Sequence, residues 1–148
     1  MPRIRVSTTL PAPPSAVWAY VSDLASHVEW MADAESLRIT SARRAGVGTT
    51  MEVATRVGPI RLNDVLEVTE WRPGRTMGVR HAGIVGGIGR FTLRRSRLRP
   101  GRTRFTWEER LVFPTWLGGP LGAVVVAPVL RWVWRGNLRR LREHFVTR

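Results

Sequence analysis

The chain contains no cysteine. Disulfide frameworks, thiolate zinc sites and cysteine nucleophiles are thereby excluded, and the absence fits a reducing compartment. Lysine is missing as well: all 24 basic residues are arginine, set against 11 acidic ones for a net charge of +13. The arginines are scattered along the whole sequence, a distribution that GC-rich codons produce as readily as selection for phosphate contacts. The charge is therefore only a weak pointer to nucleic acid or anionic lipid. Met1-Pro2-Arg3-Ile4-Arg5 runs straight into an alternating pattern, without an apolar stretch and cleavage site. No signal peptide is expected, and a cytoplasmic location is.

Other absences narrow the chemistry. His27, His81 and His144 lack a metal-ligand spacing, and His27 stands two residues from Glu29, off a common helical face. No metal and no cofactor are expected. No Gly-x-Ser-x-Gly elbow and no phosphate-cradling loop occurs. Gly83 to Gly89 departs from the dinucleotide fingerprint and reads as a flexible hairpin loop, with a mobile lid as the alternative. The uncharged run from Leu111 to Leu130, followed by Arg131 and Arg135, has the length and basic flank of a membrane span. Pro114, Pro120 and Pro128, with Gly118, Gly119 and Gly122, would break such a helix several times. A strand end and a buried helix are expected there instead.

What is present is a chain of 148 residues without repeats or linkers, read as one domain over residues 1–148. Ile4, Val6, Thr8 and Leu10 alternate with polar residues as a half-buried strand. Pro14 suits the first position of a helix carrying Val17, Trp18 and Val21, and Asp23 suits the N-cap of a second, with Leu24, Val28 and Met31. Six strands follow, separated by turns such as Gly58-Pro59 and Arg72-Pro73-Gly74-Arg75, the first of them over Ser36 to Ala42. From about Leu121 the chain is helical, with Pro128 a kink site. Leu130, Trp134, Leu138, Leu141 and Phe145 form an apolar stripe beside Arg131, Arg135, Arg139 and Arg142. Strands in succession with helices at the ends indicate an α+β fold.

Three stretches carry a resemblance to a known family: Ala12-Pro13-Pro14-Ser15-Ala16-Val17-Trp18 with Val21-Ser22-Asp23, then Glu29-Trp30-Met31, then Arg102-Thr103-Arg104-Phe105-Thr106-Trp107. Together with the element order they resemble the polyketide cyclase/dehydrase and lipid-transport family of the START-like, or birch-pollen-allergen-like, superfamily (SRPBCC). The resemblance implies a helix-grip fold, in which a curved seven-stranded antiparallel sheet wraps a long C-terminal helix over a ligand cavity. It does not choose an activity, because the superfamily hosts carriers and enzymes alike.

On that architecture the expected wall comprises Met51, Val53, Leu62, Met77, Val79, Phe91, Phe105 and Trp107 from strands, with Val125, Leu130 and Trp134 from the helix and Trp30 beside them. Any one of these could equally be ordinary core. Asp64, His81 and Glu109 share the inward parity and are the candidates for substrate orientation or proton transfer; pairing with an arginine is the plainer reading of the carboxylates. Arg94, Arg95, Arg97, Arg99, Arg102 and Arg104 gather in one hairpin without interleaved aromatics, which disfavours nucleic acid. They read as solvated strand ends, with transient contact to anionic lipid headgroups as the alternative. Continued parity would turn Arg95 and Arg97 inward, unless the strand projects beyond the core. The expected function is binding or carriage of a hydrophobic or amphipathic, lipid-like or polycyclic, small molecule. A polyketide cyclase or dehydratase with His81 and an acidic partner is the alternative, and arginine-driven association with membrane or nucleic acid a third. Oligomeric state stays open.

Overall fold

The computed structural model describes residues 3–146. Met1 and Pro2 of the N-terminal reading, and the last two residues of the expected domain, lie outside them. β1 (Arg3–Leu10) leads to α1 (Pro14–Val21), a 3-10 turn (Leu24–Ser26) and the single turn of α2 (His27–Trp30). β2 (Ala34–Ile39), β3 (Thr50–Val57), β4 (Ile60–Arg72), β5 (Thr76–Ala82), β6 (Gly86–Arg95) and β7 (Thr103–Val112) follow. A second 3-10 turn (Thr115–Leu117) precedes α3 (Gly119–Val146). All the strands pair antiparallel in one seven-stranded sheet, ordered β1-β7-β6-β5-β4-β3-β2. This is the α+β helix-grip architecture.

Alternation decides the sheet's inner face. On β1, Ile4, Val6 and Leu10 are buried while Arg3, Arg5 and Ser7 face solvent. On β7, Thr103, Phe105, Trp107, Glu109 and Leu111 are all buried, so one carboxylate sits in an otherwise mostly apolar row. A bulge in β4 between Val68 and Glu70 changes its parity, and Trp71 takes the inward place after Val68. Its ring meets Trp18 of α1 edge to face at 5.2 Å. A bulge of this kind bends a strand and adds twist, which helps the sheet curve around the helix.

The helix closes the other side. Leu130, Trp134, Leu138 and Leu141 are buried as their spacing predicts. Asn137 lies among them, fully buried, and ties α3 to the junction of α2 and β2. Its Nδ2 donates to Asp33 Oδ1 at 2.7 Å, and its Oδ1 accepts from the Ala32 N–H at 2.9 Å. Trp134 Nε1 donates to the second oxygen of Asp33 at 3.2 Å.

Several local expectations change. β2 spans Ala34–Ile39 and not Ser36 to Ala42, with a register shift between Ala34 and Ser36. Asp23 precedes only the 3-10 turn and makes no capping bond, while Val28 is exposed. The glycine-rich stretch is mostly strand, because β6 already begins at Gly86. α3 starts at Gly119 and runs through Pro128. The uncharged run is divided among β7, the 3-10 turn and α3, and no helix among the described residues is long and apolar enough to cross a membrane. Arg95 ends β6 and Arg97 lies beyond it, both exposed, so the strand projects past the core.

Candidate functional site

Between the inner face of β3–β7 and the first half of α3 lies a cavity of about 240 Å³. Of the expected wall, Met51, Val53, Leu62, Met77, Val79 and Phe91 line it, as do Trp107, Leu130 and Trp134. Trp107 and Trp134 stack at 4.5 Å, one from the sheet and one from the helix. Asp64, His81 and Glu109 reach the same space.

Three expected wall residues do not. Trp30 and Phe105 are buried behind the lining, where the Trp30 ring packs on Phe91 at 5.8 Å, Trp107 at 5.9 Å and Phe105 at 6.2 Å. Parity placed Phe105 inward correctly, but it lies farther along β7 than the cavity. Val125 points to solvent and is 67% exposed. Counting back one helical step of four from Leu130 gives Val126, which lines the cavity instead. Leu24, His27, Met31, Val85, Phe113 and Leu117 also line it and were missed. They come from turns and a one-turn helix, where no periodicity is long enough to show a face.

The central polar feature is a contact between β5 and β7. His81 Nε2 and Glu109 Oε1 are 2.6 Å apart, with side chains only 10% and 9% exposed. Their strands are not neighbours, since β6 runs between them. On β6 the residues facing them are Gly87, paired with His81, and Gly89, paired with Glu109. A Cβ on Gly89 would stand 2.5 Å from Glu109 Oε1, and one on Gly87 would stand 1.9 Å from the Arg110 carbonyl oxygen. Gly87 also has a φ of +123°, a conformation open to glycine and strained for other residues. The bare stretch of β6 is therefore what lets an imidazole and a carboxylate meet over it.

Burial disfavours the charged form of His81, but the hydrogen bond and charge of Glu109, with Asp64 adding, outweigh it and raise its pKa above the ordinary value. Asp64 is itself held by Thr55, whose Oγ1 donates to Oδ2 at 2.7 Å. His81 Nδ1 is buried and has no hydrogen-bond partner among the described residues. In the imidazolium this atom carries a proton, so the ring has a buried donor without a partner among those residues. His27 behaves oppositely. Burial lowers its pKa, against the Val21 carbonyl bond and the charge of Asp23. As a neutral ring it donates Nε2–H to the Val21 carbonyl at 2.8 Å. No group of His, Cys, Asp and Glu among the described residues could hold a metal ion.

The architecture is shared with solved structures. TTHA0849 from Thermus thermophilus is similar with a TM-score of 0.80 at 19% identity, covering 99% of this chain and 98% of that one. A START superfamily protein from Mycobacterium smegmatis gives 0.78 at 10% identity, covering 98% and 97%. The Zhui aromatase/cyclase from a Streptomyces species gives 0.76 at 15%, covering 97% and 92%. At such identities the likeness is one of fold. No curated protein matches the chain. The family model described as polyketide cyclase / dehydrase and lipid transport matches residues 1–146, and the chain belongs to that family.

Proposed function

We propose that the protein binds and carries a hydrophobic or amphipathic small molecule in the cavity beneath α3, with one oxygen of the ligand accepting from His81. The observation that supports this most is the lining, apolar over most of its extent and polar where His81, Glu109 and Asp64 gather. A few placed polar groups in an apolar hollow orient a ligand by its polar end. A volume of about 240 Å³ exceeds the roughly 150 Å³ that admits benzene. Molecules with one or two rings, or a chain of similar bulk, and one carbonyl or carboxylate, suit it. The lipid-transport part of the family's description accords with this reading.

Titration with 2-naphthoate, two rings and one carboxylate, tests it. One equivalent is expected to bind, Val79→Trp is expected to abolish binding by filling the space, and His81→Asn to weaken it about tenfold or more by removing a charged donor. Binding that survives Val79→Trp unchanged would place the ligand elsewhere.

The close His81–Glu109 contact also favours a second reading, a cyclase or dehydratase. The imidazolium would donate to a substrate carbonyl, and the dyad would take up a proton from carbon. Under that reading His81→Asn eliminates turnover of a polyketide-like substrate while an unreactive analogue still binds. Retained turnover would reject it.

A further inference from the structure

The part of α3 that walls the cavity carries an apolar stripe on its opposite side. Leu121, Val125, Pro128 and Trp132 follow at steps of four, three and four, and all are exposed, Trp132 to 73%. Val124 and Val129 flank them, and Trp116 is exposed on the 3-10 turn just before the helix. Continued at the same spacing, the stripe turns basic with Arg135, Arg139 and Arg142, all exposed. No acidic residue occurs between Glu109 and Glu143. Among the described residues none of those three arginines forms an ion pair.

A groove of about 270 Å³ opens beside Trp132, walled by its side chain and by Arg56, Arg139 and Arg140. Its one carboxylate, Asp33, is already engaged by Trp134 and Asn137. Arg56 has a long, exposed contact to Glu35 at 3.8 Å and donates Nε–H to the Gly58 carbonyl at 3.2 Å, while Arg140 donates to the Trp30 carbonyl and to Asn137 Oδ1.

We infer that this face docks on an anionic lipid bilayer. The half from Leu121 to Trp132 enters the boundary between acyl chains and headgroups, and the arginines and the groove receive lipid phosphates. A helix with an apolar sector, a tryptophan and a cationic sector that meets no carboxylate before Glu143 has the composition of an interfacial helix. Charge distinguishes this occupant from a second copy of the chain. A second copy would bring together two molecules of net charge +13 and leave these arginines unneutralised, whereas anionic headgroups neutralise them. The β6–β7 hairpin, with its own arginines, lies at the other end of β7 from Val112 and the start of α3, away from the apolar half of this surface. Val126 and Leu130, on the inner side of the docked segment, line the cavity. The helix would thus stand between bilayer and ligand; that last step rests on the proposed binding function, while docking itself does not.

Co-sedimentation of the full chain with vesicles tests the inference. Equal parts phosphatidylcholine and phosphatidylglycerol are compared with phosphatidylcholine alone, at low and high salt. Sedimentation with the anionic vesicles, weakening as salt rises, is expected. Val125→Ser with Trp132→Ser should lower partitioning about tenfold or more, as should Arg135→Gln with Arg139→Gln. Arg97→Gln with Arg99→Gln should leave it unchanged. Unaltered melting temperatures and 2-naphthoate titrations would show that the variants remain folded. The inference is overturned if the chain stays in the supernatant, if the α3 variants sediment like the unaltered chain, or if the hairpin variants abolish binding. A lipid-free dimer that Trp132→Ser dissociates would assign the face to a second copy. Vesicle binding without 2-naphthoate binding would sink the proposed cavity function and leave docking intact, and the reverse result would do the opposite.

Discussion

At the scale of single residues, the chemistry of the cavity depends on Glu109. Glu109→Gln removes a charge from His81 and weakens the hydrogen bond that favours its protonated form. Burial, which acts the other way, then dominates. The His81 ring is expected to titrate above about 6.5 in the unaltered chain and below it in the variant, read from its carbon-bound protons by NMR. An unchanged midpoint would mean that the carboxylate does not hold the proton. The alternation of β5 and β7 showed both side chains facing inward. It did not show that they meet, because contact depends on which β6 residues lie between them, and Gly87 and Gly89 looked like parts of a loop. A glycine run carries no parity of its own, so the strand that joins the pair was the hardest one to see.

At the scale of elements, the hold on α3 is partly polar. Asn137→Leu would fill the space but leave the Ala32 N–H without its acceptor and Asp33 without one donor. A loss of about 2–3 kcal/mol is expected, measured as a lower denaturant midpoint. A loss below about 0.5 kcal/mol would show that solvent or a neighbour replaces those bonds. The apolar stripe of α3 was readable at Leu130, Trp134, Leu138 and Leu141, since helical spacing alone selects that face. Asn137 interrupts no pattern and announces nothing, as the Ala32 and Asp33 partners that tie it across the fold lie more than a hundred residues away in sequence. Val125 was misplaced by a single position, which on a helix turns a side chain by about 100°.

For the molecule as a whole, two buried histidines give stability opposite dependences on pH. His27 has a lowered pKa in the fold, so the unfolded chain binds its proton more readily. Its contribution is present above about 6.5 and is lost as pH falls below that value. His81 has a raised pKa, so its contribution is complete below about 6.5 and is lost as pH rises through the folded value. Melting temperature followed against pH should therefore fall less steeply on acidification in His27→Phe, and less steeply toward neutral and higher pH in Glu109→Gln. Parallel profiles for either variant and the unaltered chain would contradict the assignment of that histidine. The order of elements was legible because strands and helices have different periods. The hollow beneath α3 followed only from the resemblance, since no pattern of residues distinguishes a lining from a packed core.

The clearance above Gly89 also constrains descent. An alanine at position 89 would set its Cβ 2.5 Å from Oε1 of Glu109. The Glu109 side chain would have to shift and its contact with His81 would be disturbed, unless the carboxylate had first been shortened or lost. Replacement of Glu109 by a smaller residue meets no such barrier from position 89. Change at the two sites thus has a preferred order, and lineages that keep a glutamate at the second should keep glycine at the first.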